Sequence, residues 1–221
     1  MCGDAHCCSF SRHKKRFTIM ARQHFQELPL LHGEYEFLAE RGWLDQFGDH
    51  EHRVVELPLP DGRTVRAESV VSRRPGCACN HATRPVVCRL YPLLPVFASD
   101  GKLVGVEDFG VFEVLERIEQ LEPACAIREI PVPQLNTFLE FCAVLASSPL
   151  WLFQLAAYRM TKAHVASGIA RDKAKTGKDA FKLFEWGFLR DNLIRRPELA
   201  QHLAGLADAF SQRWGPGFEL P

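Results

Sequence analysis

The chain lacks net charge: Lys+Arg and Asp+Glu both number 27 among 221 residues. That balance argues against a protein that binds nucleic acid over its whole surface, while a local basic patch stays open. Also lacking is an unbroken apolar run of membrane length. Phe138 to Tyr158 is the strongest candidate, but Glu140, Ser147, Ser148, Pro149 and Gln154 interrupt it, and a span needs about 20 mostly apolar residues. We read it as two buried helices, with Ser148 as N-cap and Pro149 at the first helical position. No secretory signal is read at the start, because the first apolar stretch is short and follows Ser11-Arg12-His13-Lys14-Lys15-Arg16. A cytoplasmic protein without a membrane is therefore expected. There is no Gly-rich phosphate loop, no G-x-S-x-G, no H-E-x-x-H, no internal repeat and no low-complexity tract. C-x-x-C is missing too, which disfavours a zinc ribbon.

What is present is thiol. Apolar residues make up 47% of the chain, enough for a real core, and the eight cysteines are unevenly placed. Cys2, Cys7 and Cys8 open the chain, Cys77, Cys79 and Cys88 crowd its middle, and Cys125 and Cys142 follow singly. Clusters such as CGDAHCC and GCAC are not how core thiols are spaced. In a reducing compartment they point to metal or redox chemistry rather than to disulfides. Thiolates are soft ligands, and four of them suit Zn²⁺ or an iron–sulfur cluster equally. Candidate ligands are Cys2, Cys7, Cys8, Cys77, Cys79, Cys88 and Cys125. Sixty-nine positions separate Cys8 from Cys77, so the fold must assemble the site. Neighbouring side chains in an extended segment point opposite ways, so Cys7 and Cys8 serve two metals or only one of them ligates. His6 and His81, beside ligand cysteines, are read first as surface histidines and second as a fourth ligand. Cys142 is read as a core thiol.

Around the middle cysteines stand Arg63, Arg66, Arg73, Arg74, Arg84 and Arg89, while the only acids between 61 and 100 are Asp61, Glu68 and Asp100. Such a field favours thiolates and offsets a polythiolate charge; a solvated arginine face is the equal alternative. Arg84 and Arg89 are the candidate cofactor-binding residues. They lie in Arg84-Pro85-Val86-Val87-Cys88-Arg89-Leu90-Tyr91-Pro92. Pro85 suits the start of a helical turn and Pro92 stops it, which places Cys88 on a short rigid segment near backbone N–H groups.

Hairpins are expected around Asp61-Gly62, within 52–70, and around Asp100-Gly101, within 95–107. Between them the Pro- and Cys-rich stretch reads as an irregular loop that needs a staple. A short helix is expected to end near Gly42. Helical spacing follows at Phe112, Leu115, Ile118 and Leu121, at Phe138, Phe141, Cys142 and Leu145, and at Leu199, Leu203, Leu206 and Phe210. RDKAKTGK, 171–178, reads as an exposed loop or frayed helix end. His50 and His52 read as a solvated acidic loop, with a stray surface metal site the sharper alternative. Phe181, Phe184, Trp186 and Phe188 read as core.

These residues resemble the YkgJ-type cysteine-cluster family, described as zinc- or iron-chelating domains. Three blocks carry the likeness: the N-terminal group closing in Cys7-Cys8, Cys79 ahead of the Arg84–Pro92 element, and the later Cys125. The chain differs in having Asp4-Ala5-His6 after Gly3, Asn80-His81 after Cys79, and Ala126-Ile127 after Cys125. The resemblance covers 1–125. It implies a metal-binding protein holding zinc or an iron–sulfur cluster through thiolates, with a redox or sensing role. Some relatives look like iron–sulfur methyltransferases acting on protein lysines, so an enzyme is one alternative; a structural zinc domain presenting a helical surface to a protein partner is another. The expected architecture is α+β: an irregular, cysteine-rich, metal-stapled core with short β-hairpins and a helical C-terminal half. The expected division is a metal-binding region, 1–130, and a helical region, 131–221.

Overall fold

Pro29 and Pro95 each lie inside a β-strand, which is tolerated where a strand has an open edge. Both strands meet that condition in the computed structural model, which describes residues 11–20, 26–74, 80, 82–122, 130–189, 196–215 and 218–220. The chain forms two compact units, Met1–Glu56 with Arg66–Arg89, and Leu57–Val65 with Leu90–Pro221.

The first unit is built on a three-stranded sheet. β1 is Gln26–Leu30, β2 is His50–Pro58 and β3 is Thr64–Ser72, in the order β1-β3-β2. β1 runs antiparallel to β3, from Gln26 opposite Ser72 to Leu30 opposite Glu68. Alternate residues of β1 are buried, as an edge strand over a core requires. Glu68 to Ser72 of the central strand are all buried. α1, Glu34–Glu40, ends at Gly42, whose φ of +67° suits glycine. The Gly42 amide donates to Ala39 O and the Trp43 amide to Leu38 O, closing the helix C-terminus. Leu28, Leu30, Leu38, Phe47 and Val70 form the core, with Tyr35, Trp43, Leu44 and Cys88 packed on it. The last element is α2, Val86–Leu90, of which 86–89 belong to this unit.

The second unit is mostly helical. β4, Leu93–Phe97, and β5, Leu103–Asp108, pair antiparallel. Then come α3, Val111–Ile118; α4, Val132–Ala146; α5, Pro149–Thr176; α6, Ala180–Leu189; and α7, Pro197–Trp214. The 28-residue α5 is the spine, packing against β4, α3, α4, α6 and α7. Phe153 on α5 meets Phe210 on α7 edge to face, at 5.5 Å between ring centres. Charges brought inside find partners: Lys162 donates to Asp108 O, Arg117 pairs with Asp108, and Tyr91 donates to Glu113. Glu119 accepts from Lys173 Nζ at 2.7 Å and from the Ala180 amide at 2.6 Å, so it caps α6.

Mixed α+β architecture, short antiparallel sheets and a helical C-terminal half are observed. Both hairpin turns sit at the expected Asp-Gly pairs, with Gly62 and Gly101 at positive φ. Ser148 caps α5 through the Trp151 amide at 3.4 Å, and α4 meets α5 at a bend of 113°. Among the described residues no single helix is long and apolar enough to cross a membrane. Cys142 is 2% exposed in the Phe138, Cys142, Leu145 stripe. Phe181 and Phe184 are core, but Trp186 is exposed beneath the Lys178 ammonium. The stretch 171–176 is the end of α5 rather than a loop, because the helix continues until Gly177 turns left-handed at φ +68°. The expected irregular stretch between the hairpins holds α2 and β4. Residues 57–65 and 90–122 cluster with the helices.

Candidate functional site

Of the seven candidate ligands, Cys88 alone falls among the described residues. Cys2, Cys7, Cys8, Cys77, Cys79 and Cys125 lie outside them, as do His6 and His81. Among the described residues, no group of three or more His, Cys, Asp or Glu side chains is placed to hold a metal ion. What can be built from the residues upward is the seat of Cys88 within the first unit.

That seat is a single turn. Pro85 has no N–H to waste at a helix start. Its carbonyl accepts the Cys88 amide at 3.0 Å and the Arg89 amide at 3.2 Å, so residues 85 to 89 form one hydrogen-bonded turn. Cys88 is half-buried. It packs on the Leu28, Leu30, Leu38, Phe47 and Val70 cluster. The hydrophobic residues that receive it come from β1, α1, β3 and the turn at Leu44–Phe47, all distant in sequence.

Three polar side chains fix this segment. The Glu34 carboxylate reaches from α1 to accept the Val86 amide at 2.6 Å, while its other oxygen accepts the Leu31 amide at 2.9 Å. Burial pushes the Glu34 carboxyl up from its ordinary range, against the pull of these two amides and of Arg89. Gln46, in the turn at Leu44–Phe47, is the second. Its Oε1 accepts the Asn80 amide at 2.9 Å and the Thr83 hydroxyl at 3.1 Å, and its Nε2 donates to Thr83 O at 3.1 Å. The third is Arg89, whose Nε donates to Arg84 O at 3.1 Å and Nη2 to Ala82 O at 2.8 Å. These contacts draw the chain just after Cys79 onto the turn that carries Cys88.

The six arginines separate on inspection. Arg63 belongs to the second unit, held by Asp61 and Asp208 at 2.5 and 2.6 Å. Arg73 faces Asp49 at 3.5 Å, and Arg74 donates to Gln46 O at 2.9 Å. Arg89 braces backbone carbonyls. Arg84 and Arg66 are left with buried Nε atoms that have no hydrogen-bond partner among the described residues. A buried cationic donor without an acceptor is costly, and at Arg84, four residues before Cys88, an anionic group would satisfy it.

His52 is not in a solvated loop. Its Nε2 lies 3.1 Å from one oxygen of Glu68, whose side chain is 3% exposed, and His32 Nδ1 lies 3.0 Å from the other. Tyr35 stacks on the His52 ring at 3.7 Å. Two imidazoles thus contact the two oxygens of one buried carboxylate. This trio and the braces Glu34 and Gln46 escaped the sequence reading, since no local motif links positions 32, 52 and 68, 34 and 86, or 46 and 83. Cys142 is the contrasting thiol: burial pushes it up to about 11, which keeps it protonated and inert at neutral pH. Set against protein-family models, curated proteins and solved structures, the chain finds no match.

Proposed function

We propose that the chain is a metal-binding protein that holds zinc or an iron–sulfur cluster through cysteine thiolates, with Cys88 as one ligand. The observation that carries the reading is the seat of Cys88: a half-buried thiol on a braced turn, four residues after Arg84, whose buried Nε has no hydrogen-bond partner among the described residues. That combination fits a thiolate centre, whose negative charge would take up the Arg84 N–H. Cys2, Cys7, Cys8, Cys77, Cys79 and Cys125 are the pool from which the other ligands are drawn. When bound, zinc would cross-link these distant segments, and an iron–sulfur cluster would add one-electron redox chemistry. The chain's own part is to hold Cys88 in place and to keep the segment after Cys79 close to it through Gln46 and Arg89. A cytoplasmic setting follows from thiols kept reduced.

The test is anaerobic purification followed by metal analysis and a visible spectrum, on wild type, Cys88→Ser and Cys142→Ala. Colourless protein with zinc, or brown protein with iron and sulfide, supports the reading if Cys88→Ser sharply lowers the metal and Cys142→Ala keeps it. Metal lost in Cys142→Ala but kept in Cys88→Ser would overturn the assignment.

A further inference from the structure

We propose that Glu34 is a positioning residue for Cys88, tying the turn that carries the thiol to α1 through the Val86 amide. The inference rests on the reading of Cys88 as a ligand only for its purpose; the geometry stands by itself. A five-residue helix such as α2 does not hold its shape alone, because helix nucleation is unfavourable and most of its N–H groups have no partner within it. Apolar packing of Cys88 on the core adds adhesion but little direction. Direction comes from hydrogen bonds. The Glu34 carboxylate spans 52 positions of sequence to take the first free N–H after Pro85, at 2.6 Å, and anchors its other oxygen in the adjoining turn at Leu31, at 2.9 Å. That turn is closed from the other side by the Glu34 amide, which donates to Leu31 O at 2.9 Å. Leu38, one helical turn further along α1, lies in the same cluster that Cys88 packs on. The Cys88 turn is therefore held in two ways: by packing on the cluster to which Leu38 of α1 belongs and by charge-assisted bonding to Glu34 at the start of the same helix. Arg89 sits where its charge favours the ionised Glu34.

The experiment uses the full chain as isolated, in reducing buffer, as wild type and as Glu34→Gln, Glu34→Asp and Glu34→Ala. Two rates are read: hydrogen exchange at the Val86 amide, and iodoacetamide alkylation of Cys88 by peptide mapping, with Cys142 as the internal control. Gln keeps the shape but sets an NH₂ against one of the two donors; Asp keeps the charge but is one methylene short of bridging both. The expected result is that each variant speeds Val86 exchange and Cys88 alkylation by about tenfold or more, the equilibrium worth of one charge-assisted hydrogen bond, while Cys142 stays slow. Unchanged rates at Val86 and Cys88 in Glu34→Ala would overturn the proposal. Should a variant unfold outright, shown by Cys142 reacting as fast as Cys88, the wild-type Val86 amide decides: marked protection supports the bridge and random-coil exchange refutes it. Metal content of the same samples separates the two ideas. Wild type without metal but with Glu34-dependent rates sinks the metal reading and keeps the positioning role. Wild type with metal and rates indifferent to Glu34 does the reverse.

Discussion

Cys142 offers the cleanest quantitative test of how the thiols divide. Burial pushes it from an ordinary 9.0 to about 11. At pH 8 an ordinary thiol is about one-tenth thiolate, and Cys142 about one-thousandth, so its alkylation should be slower than that of a free peptide thiol by about 100-fold. The same shift sets a pH dependence of stability. Because the folded value is the higher one, above pH 9 the unfolded chain gives up a proton that the folded chain keeps. The contribution is whole below pH 9 and is lost as pH rises towards 11, by about 3 kcal/mol in all. Cys142→Ala removes this slope and costs about 1 kcal/mol at neutral pH, since only one atom leaves a site that is 2% exposed. The assay is urea unfolding of wild type and Cys142→Ala at intervals from pH 7.5 to 11. The difference between the two isolates Cys142 from other alkaline groups, such as Tyr158, which burial also raises. Wild type starts ahead and falls behind as the pH climbs. Ordinary alkylation rates at pH 8, or curves that stay parallel to pH 11, would refute the reasoning.

Other perturbations follow from single contacts. A Cβ on Gly110 would stand 2.0 Å from Glu113 Oε2 and drive that carboxylate off the Tyr91 hydroxyl, so Gly110→Ala should cost about 2–3 kcal/mol by urea unfolding. Gly205, on α7 with open space around its Cα, should instead gain about 0.5–1 kcal/mol as Ala in the same measurement. Gln46→Ala removes three hydrogen bonds to the Asn80–Thr83 segment, and limited proteolysis should cut there sooner while the second unit stays intact. Arg84→Glu should lower metal content more than Arg84→Ala does, because it sets a like charge near a thiolate centre; equal content in both would return Arg84 to a purely structural place.

Much of the local structure was legible because its causes are local. Asp61-Gly62 and Asp100-Gly101 dictate tight turns, Gly42 ends a helix, and Ser148-Pro149 starts one. The apolar spacing through Phe138, Cys142 and Leu145 gave both the helix and the burial of the thiol. β1 was not legible, since Pro29 in a five-residue run reads as a break until the strand is seen to lie at a sheet edge. The short helical turn at 86–90 was legible from the flanking prolines, whereas the apolar seat of Cys88 was not, because Leu28, Leu38, Phe47 and Val70 are gathered only by the sheet. The partners of the arginines counted around the middle cysteines were not legible for the same reason. Sequence proximity grouped six arginines, and the fold sends Arg63 to another unit and gives Arg73, Arg74 and Arg89 partners of their own.

The most direct measurement is X-ray absorption at the metal edge of the protein as isolated anaerobically, wild type beside Cys88→Ser. Thiolate ligation gives sulfur scatterers at about 2.3 Å from zinc, and an iron–sulfur cluster adds an iron–iron distance. The account predicts a sulfur-dominated shell in wild type, with lower metal occupancy or one sulfur fewer in Cys88→Ser and no change in Cys142→Ala. A shell of oxygen and nitrogen alone, or a sulfur shell indifferent to Cys88→Ser, would contradict it.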